Sequence, residues 1–182
     1  MDLEIIDNFL PKYQFNLLQS ALVSDEFPWF FNDGIYRIPE PRRFQFTHNF
    51  YMMHGRVLPT LQREGETVGP HFHLLDNLLS VLGKRVPIAQ LLRIKGNLNP
   101  RTFFHNHGGY HVDCPDVRTA LFYLTTCNGY TRFKKRGRKI KSVANRLVLF
   151  DSNLEHEGVT CTDKKIKVVL NINFLSYIEN AS

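Results

Sequence analysis

The segment 165–174 constrains the fold most, because apolar and polar residues alternate along it. Side chains of a β-strand point in turn to its two faces. One face would carry Ile166, Val168, Leu170, Ile172 and Phe174, and the other would carry Lys165, Lys167, Val169, Asn171 and Asn173. If the apolar face packs on helices, the polar face looks into a space between two sheets, where a buried cation needs an anionic ligand. The alternative is an edge strand with its lysines in water.

Two helices are predicted upstream of this strand. Apolar residues recur at helical spacing after Pro11, which suits the first turn of a helix. A second apolar stripe ends at Gly83, where we expect the helix to stop. The two stripes consist of Phe15, Leu18, Ala21 and Leu22, and of Leu74, Leu75, Leu78, Leu79 and Leu82. Residues 27–68 are predicted to be loops with one or two short strands, around 43–53.

From residue 88 onward the apolar residues follow a period of two, which predicts antiparallel strands. These strands are Ile88–Ile94, Val117–Thr125, Arg146–Phe150 and Lys165–Phe174. Helices followed by short strands indicate an α+β, mainly β fold, a double-stranded β-helix (jelly roll) with the N-terminal helices covering one sheet. A length of 182 residues suits one domain over 1–182. Residues 1–87 would be its helical and irregular support, and residues 88–178 its jelly-roll core.

Composition predicts a soluble protein. Hydrophobic residues make up 43% of the chain and charged residues 22%, both close to globular averages. We expect no membrane span, because no apolar run approaches the required length, and no signal peptide, because the N-terminus is acidic. The three cysteines, Cys114, Cys127 and Cys161, show no C-x-x-C spacing and are expected to be reduced thiols. A cytoplasmic location follows.

The positive charge of the chain is concentrated in one segment. The formal net charge is +6, and seven of the ten residues at 132–141 are Lys or Arg. This basic segment is interpreted as a solvated hairpin tip or as a docking surface for an acidic partner. A non-catalytic basic jelly-roll module that binds nucleic acid is a further alternative, since Tyr130 and Phe133 could stack on bases.

A metal site is predicted from three residues. His111 and Asp113 lie two residues apart, on one face of an extended segment, and His156 follows in a separate turn. Two histidines and one carboxylate leave coordination positions open, as in non-haem Fe(II) oxygenases, whereas zinc usually takes four protein ligands. A competing zinc site could use two other histidine pairs, which are His71 with His73 and His105 with His107.

Several short sequence motifs follow one another between residues 111 and 174. They are His-x-Asp at 111–113, a strand at 120–124, the stretches 128–133 and 144–151, His156, and a basic residue on the final strand. Their order resembles the iron-binding half of prolyl 4-hydroxylase-like 2-oxoglutarate-dependent oxygenases, especially the short single-domain versions of bacteria and their phages. Residues 92–98 resemble the strand that leads to the metal motif in that family.

The resemblance implies roles for individual residues. His111, Asp113 and His156 would bind Fe(II), and Lys167 would pair with the distal carboxylate of 2-oxoglutarate. Tyr123 and Thr131 would line the same pocket. The family usually has Arg at the Lys167 position, and Lys offers a point charge in place of a bidentate fork. Because the register of the last strand is uncertain by two residues, Lys165 is the reserve for Lys167.

The resemblance also implies an activity. The chain would be a dioxygenase that uses Fe(II), 2-oxoglutarate and O2, with ascorbate as a further cofactor, to hydroxylate a C–H bond and release succinate and CO2. The implied reaction is prolyl hydroxylation of a peptide or protein, which the basic segment would suit if that partner is acidic. Oxygenases acting on nucleic acid or a small molecule are alternatives. Nucleic-acid demethylases typically carry a second Arg on the last strand, where this chain has Asn173.

The substrate cleft is expected to involve three regions. They are the aromatic-rich segment 44–53, the loop 102–110 with His105 or His107 at the border of the cleft, and Trp29. The location would be the cytoplasm, that of the host if the chain is encoded by a phage. The oligomeric state is left open.

Overall fold

We analysed a computed structural model of the protein, which describes residues 3–33, 44–54 and 65–177. The strands are β1 (Glu4–Ile6), β2 (Phe30–Asn32), β3 (Gln45–Met53), β4 (Glu66–Val68), β5 (Ile88–Pro100), β6 (Arg118–Tyr123), β7 (Tyr130–Phe133), β8 (Lys139–Lys141), β9 (Arg146–Asp151), β10 (His156–Val159) and β11 (Ile166–Ser176). The helices are α1 (Lys12–Val23) and α2 (Asp76–Arg85), with short 3₁₀ helices at Phe72–Leu75 and Lys135–Gly137.

The strands form a large and a small antiparallel sheet. The eight-stranded sheet has the order β1-β9-β6-β11-β5-β3-β2, with β4 paired to β3, and the three-stranded sheet has the order β10-β7-β8. β11 lies between β6 and β5 in the large sheet. The interpretation of this segment as an edge strand is therefore wrong. The Nζ atom of Lys167 on β11 donates to the carbonyl oxygens of Tyr130 and Val159, so this face of β11 lies against the small sheet.

The other face of β11 packs on the helices, as the alternation predicts. Its five apolar side chains share one buried cluster with residues of both helices. The helical members of that cluster are Phe15, Leu18 and Leu22 of α1 and Leu78 and Leu82 of α2. A mainly β fold with N-terminal helices covering one sheet is confirmed. Burial of these large side chains contributes roughly 1.5–3 kcal/mol each, which makes this layer the main support of β11.

The helix ends differ slightly from the prediction. Gly83 does not end α2, because the helix continues to Arg85 and the N–H of Val86 still donates to the carbonyl oxygen of Leu82. Leu82 and Leu78 are fully buried, and their packing outweighs the roughly 1 kcal/mol that glycine costs inside a helix. Pro11 stands one residue before the first helical residue, and not inside the first turn.

The strands predicted from period two are present, with shifted ends. β5 runs six residues beyond Ile94 to Pro100, because polar residues alternate there with apolar ones. The predicted strand at 43–53 corresponds to β3, although residue 43 lies outside the described residues. The basic segment 132–141 spans the end of β7, a 3₁₀ turn and β8, which pair as a hairpin. Cys114, Cys127 and Cys161 are buried thiols. In the described parts of the chain, every helix is too short or too polar to cross a bilayer.

Candidate active site

The two histidines of the predicted metal site face each other across a short antiparallel bridge. The backbone N–H of His111 donates to the carbonyl oxygen of His156, and the reverse bond is also 3.0 Å long. Their imidazole rings lie 4.6 Å apart between centroids. This pairing brings the start of β10 next to the loop that carries Asp113, although the two segments are more than forty residues apart in the sequence.

Backbone acceptors determine how both imidazoles are oriented. Nδ1 of His111 lies 3.0 Å from the carbonyl oxygen of Gly109, and Nδ1 of His156 lies 2.9 Å from that of Leu154. A carbonyl only accepts, so each Nδ1 must carry the proton, and each Nε2 keeps its lone pair. Burial, together with the nearby His156, lowers the pKa of His111 to about 4. His111 is therefore neutral at physiological pH, as a metal ligand must be.

Asp113 lies between the two imidazoles, with a side chain only 3% exposed. Its oxygens are 3.8 Å from Nε2 of His111 and 3.5 Å from Nε2 of His156. Arg93 donates to Oδ1 at 3.0 Å, and Asn171 donates to Oδ2 at 2.6 Å. Burial would raise the pKa of Asp113, but the charge of Arg93 and the hydrogen bond from Asn171 hold it well below its usual range. The carboxylate is ionised.

Lys167 lies on the face of β11 that carries Asn171, four residues earlier in the strand. It is 1% exposed, and its Nζ donates to the carbonyl oxygens of Tyr130 at 2.8 Å and Val159 at 2.9 Å. An ammonium group has three donors, so one remains for a ligand. Burial lowers its pKa to about 8. Lys165 is exposed and precedes β11. The structure thus places Lys167, and not Lys165, between the sheets.

Tyr123 and Thr131 lie beside this lysine in the cavity. The Tyr123 hydroxyl donates to Oγ1 of Thr131 at 2.7 Å, and both side chains are buried. Burial raises the pKa of Tyr123, which is therefore a neutral donor. Gly129 leaves room for the lysine stem, because a Cβ there would lie 3.0 Å from Cδ of Lys167 and 3.0 Å from the carbonyl oxygen of Val159.

Two further residues of the site, Arg93 and Lys95, were missed by the sequence analysis. Arg93 of β5 pairs with Asn173 of β11 in register, and its Nε donates to Oδ1 of Asn173 at 3.0 Å. Lys95 pairs with Asn171 in the same way. The signal was present, because Arg93, Lys95 and Asn97 alternate with apolar residues and glycine along β5. This alternation by itself indicates a strand and does not reveal which face meets the metal residues.

The two histidines of the loop 102–110 do not border the cleft, which corrects part of the cleft prediction, although Gly109 at the end of this loop contacts His111. Nδ1 of His107 lies 2.9 Å from Oε1 of Glu157, which also accepts from Arg132. Glu157 follows His156 directly in β10, so it points to the opposite, outer face of the small sheet. The His105 ring packs on Tyr130 beside it. Neither histidine borders the metal residues.

The aromatic side chains expected in the cleft lie on the helix side of the large sheet. Phe50 and Tyr51 of β3 belong to the helix-side cluster, and a Cβ at Gly96 would meet the Trp29 ring at 2.9 Å. The residues of β3 that share the cavity face include Thr47 and Asn49, which pair with Asn97 and Lys95, and Met52, which pairs with Arg93 beyond a bulge. The wall that β3 contributes is therefore polar beside Lys95 and Asn97 and apolar beside Arg93.

Potential metal-binding groups occur twice in the described residues. One group is His111, Asp113 and His156, whose ligand atoms all lie within 4.8 Å of one another. The other is Cys127, Cys161 and Asp163, which the sequence analysis did not predict. In the part of the chain that the structure describes, neither His71 with His73 nor His105 with His107 belongs to such a group. The zinc site built from those pairs is not supported.

Comparison with known proteins shows the fold. Neither a protein-family description nor a curated protein matches the sequence. Solved structures do match. A 2OG-Fe(II) oxygenase family oxidoreductase from Burkholderia pseudomallei has a TM-score of 0.66 at 12% identity, over 94% of this chain and 84% of that chain. The chain has the double-stranded β-helix fold of these oxygenases.

Two prolyl hydroxylases are similar over the same extent. One, from Trichoplax adhaerens in complex with a peptide fragment of the hypoxia inducible factor oxygen degradation domain, has a TM-score of 0.63 at 17% identity, with 94% of this chain and 83% of that chain covered. The other, a Pseudomonas putida prolyl-4-hydroxylase, has a TM-score of 0.59 at 17% identity, with 95% and 91% covered. The similarity extends over the N-terminal half, where the sequence showed only a general likeness.

The residues of the oxygenase fold in this chain fit Fe(II) chemically. Both imidazoles present an unprotonated Nε2, and the ionised Asp113 adds the negative charge that a divalent cation favours. Arg93 and Asn171 donate hydrogen bonds to that carboxylate and orient it, as hydrogen-bond partners of metal ligands do in other proteins. A cosubstrate with two carboxylates also fits, because Lys167 supplies a buried cation at the other end of the cavity.

Proposed function

We propose that the protein is an Fe(II)- and 2-oxoglutarate-dependent dioxygenase. Iron would be held by His111, Asp113 and His156, and the distal carboxylate of 2-oxoglutarate by Lys167, with Tyr123 and Thr131 beside it. One observation supports this most directly. The three ligand atoms converge on the cavity face of β11, and the same face carries a buried lysine whose protein partners are neutral carbonyl oxygens.

In this proposal the residues of the chain hold the metal and the cosubstrate, orient the binding groups and exclude water. Bound iron and 2-oxoglutarate supply the chemistry that activates O2 and hydroxylates a C–H bond, with succinate and CO2 as products. Gly109 and Leu154 hold the Nδ1 protons of the two histidines, so both Nε2 atoms point to one metal. Arg93 and Asn171 fix the rotamer of Asp113. The two sheets enclose the distal carboxylate in a region of low dielectric, where a single cation binds strongly.

The proposed substrate is a prolyl residue of a peptide or protein. Two similar structures are prolyl hydroxylases, and one of them was solved with a peptide fragment. The exposed basic hairpin at 132–141 would suit an acidic partner. Ascorbate is proposed as an accessory reductant, and the cytoplasm as the location. Peptide profiling tests the substrate: oxidation of free amino acids or nucleobases, with prolyl peptides untouched, would contradict it.

The dioxygenase assignment is tested by absorption spectroscopy without oxygen. Wild-type protein mixed with Fe(II) and 2-oxoglutarate should develop the visible charge-transfer band of a chelated complex. The substitution Asp113→Ala should abolish the band, because it removes one of three ligands. Asp25→Ala removes an exposed carboxylate after α1 and should leave the band unchanged. A folded wild-type protein that never develops the band would refute the assignment.

A further inference from the structure

The cavity face of β5 carries a second cation that the proposed function leaves unused. Residues Arg93, Lys95 and Asn97 share this face, because each pairs in register with a cavity-facing residue of β11. The partner of Lys95 is Asn171, whose amide donates to Oδ2 of Asp113 at 2.6 Å. Lys95 is therefore a near neighbour of the metal residues, on the side of the cavity formed by β5 and β3.

Lys95 and Arg93 differ in whether their charge is matched. Arg93 donates to Asp113 and to Asn173, so it has a carboxylate partner. Lys95 is half-buried, and among residues 3–33, 44–54 and 65–177 its ammonium group forms neither a hydrogen bond nor a salt bridge. Burial and the neighbouring Arg93 lower its pKa, and the charge of Asp113 offsets this only in part, although no carboxylate of the described residues pairs directly with the ammonium group.

The wall around Lys95 is polar. On β3 the opposing residue is Asn49, which is exposed, and the next residue on the same face is Thr47, opposite Asn97. A saturated ring would find little apolar cover here, whereas amide and hydroxyl groups can donate to the oxygens of an anion. Once 2-oxoglutarate is assigned to iron and Lys167, the described residues still give Lys95 no anion at hydrogen-bonding distance, and Asp113 acts on it only from further away.

We propose that Lys95 binds a carboxylate of the substrate and so selects an acidic peptide, with Asn49 and Asn97 lining the same wall. This inference rests on the proposed dioxygenase function and specifies its substrate. A peptide carboxylate fits better than a nucleic acid, because a polynucleotide needs several aligned cations along its backbone. On this wall only Lys95 is free of a carboxylate partner within the described residues.

The test measures binding to the anaerobic complex of the protein with Fe(II) and 2-oxoglutarate, in which turnover cannot occur. Peptide pools that differ only in Glu versus Gln at one fixed position are passed over the immobilised complex. Wild type should retain the Glu pool about tenfold more strongly, the value expected for one charge-assisted hydrogen bond. Lys95→Met should abolish this preference. Lys84→Met, which removes an exposed lysine of α2, should keep it.

Two further measurements use a variant with reversed charge at Lys95 and the charge-transfer band. Lys95→Glu should transfer the preference from the Glu pool to a Lys pool. In each variant the charge-transfer band reports whether the metal and 2-oxoglutarate sites are intact, so loss of the dioxygenase site is distinguished from loss of substrate selection. Equal retention of the Glu and Gln pools by wild type with an intact band would overturn the inference. Lys95-dependent binding of a short oligonucleotide in place of peptides would overturn it as well.

Discussion

The two ends of the cavity balance charge in opposite ways. At the metal end, Asp113 is an anion held by Arg93 and by the amide of Asn171, so the protein matches its charge before any ligand arrives. At the anchor end, Lys167 is a cation whose hydrogen bonds go to the neutral carbonyl oxygens of Tyr130 and Val159. At the metal end, the charge of Asp113 is therefore already matched in the folded protein. The anchor end gains its counter-ion only when an anion binds.

This difference explains why the pKa values at the two ends shift as they do. Burial acts on both groups, but at Asp113 the charge of Arg93 and the hydrogen bond from Asn171 overcome it, and the carboxylate stays ionised. At Lys167 burial dominates, and the pKa falls to about 8. An anchor of this kind should bind its anion strongly and should respond to pH. Iron binding at the metal end should depend on the hydrogen-bond partners of Asp113.

Loss of the positive charge of Lys167 should have the largest effect on ligand binding. Lys167→Met removes the cation but keeps most of the volume of the stem. The dissociation constant of 2-oxoglutarate should rise at least about 30-fold, since truncating one partner of a buried charge pair costs roughly 2–5 kcal/mol. Iron affinity should change little. Titration of the charge-transfer band measures both quantities, and Lys165→Met is the matched control, because Lys165 is exposed. If Lys165→Met has the larger effect, the assignment of the anchor is wrong.

Removal of the cation behind Asp113 should weaken the metal end. Arg93→Met leaves the carboxylate with Asn171 but without its charged partner, so its rotamer becomes less fixed. Iron affinity should fall about 10- to 100-fold, the usual effect of removing a residue that hydrogen-bonds to a metal ligand. Anaerobic Fe(II) titration measures this change. Arg85→Met removes an arginine that pairs with Glu4 at the surface and should leave iron affinity unaltered. An unchanged affinity in Arg93→Met would show that Arg93 does not support the metal site.

The anchor should give 2-oxoglutarate binding a pH dependence. Above about pH 8 the folded lysine loses its proton, so the affinity for 2-oxoglutarate should fall by up to about tenfold per pH unit. Stability of the ligand-free protein should change in the opposite direction. Between pH 8 and 10.5 the unfolded chain binds more protons than the folded chain, so this group makes the free energy of unfolding rise with pH, by roughly 3 kcal/mol in total.

Lys167→Arg provides the control for both measurements. Arginine keeps its charge throughout this pH range, so both slopes should flatten relative to wild type. Chemical denaturation across the same pH series measures the free energy of unfolding, and the charge-transfer band measures 2-oxoglutarate affinity. Identical slopes in wild type and Lys167→Arg would mean that another group causes the pH dependence.

The sequence predicted the anchor end and the metal triad for a physical reason. The alternation in β11 depends only on the two-residue period of a strand, so it revealed that Lys167 would face away from the helices. His111 and Asp113 lie on one short segment, and their proximity follows from local geometry. The proximity of His156 to that pair was supported by the family resemblance, because the bridge between His111 and His156 is a long-range contact.

Residues that act across strands were not predictable in this way. Arg93 reaches Asp113 because β5 pairs with β11 in a register that no local pattern specifies. The cleft residues were misplaced for a related reason. Aromatic side chains such as Phe50 can fill a core or line a cleft. Which of the two they do depends on which face of β3 packs on the helices, and the sequence does not show this. The Gly83 prediction failed because helix packing outweighed a local preference.

The smallest expected effect concerns two glycines near Lys167. It should alter the anchor end of the cavity and leave the metal end unchanged. A Cβ at Gly129 would lie 3.0 Å from Cδ of Lys167 and from the carbonyl oxygen of Val159, whereas a Cβ at Gly158 would lie 4.0 Å from Nζ of Lys167. Gly129→Ala should therefore displace the lysine stem, lower the free energy of unfolding by about 1–3 kcal/mol and weaken 2-oxoglutarate binding several-fold.

Gly158→Ala is the matched control for Gly129→Ala, because its methyl group stays at van der Waals distance from the ammonium group. It should leave stability nearly unchanged. Iron affinity should be unaffected in both variants, since neither methyl group reaches His111, Asp113 or His156 within the contacts found for these glycines. Denaturant titration and the charge-transfer band measure the two quantities. If Gly129→Ala weakened iron and 2-oxoglutarate equally, the two ends of the cavity would be coupled, and Lys167 could not be treated as an independent anchor.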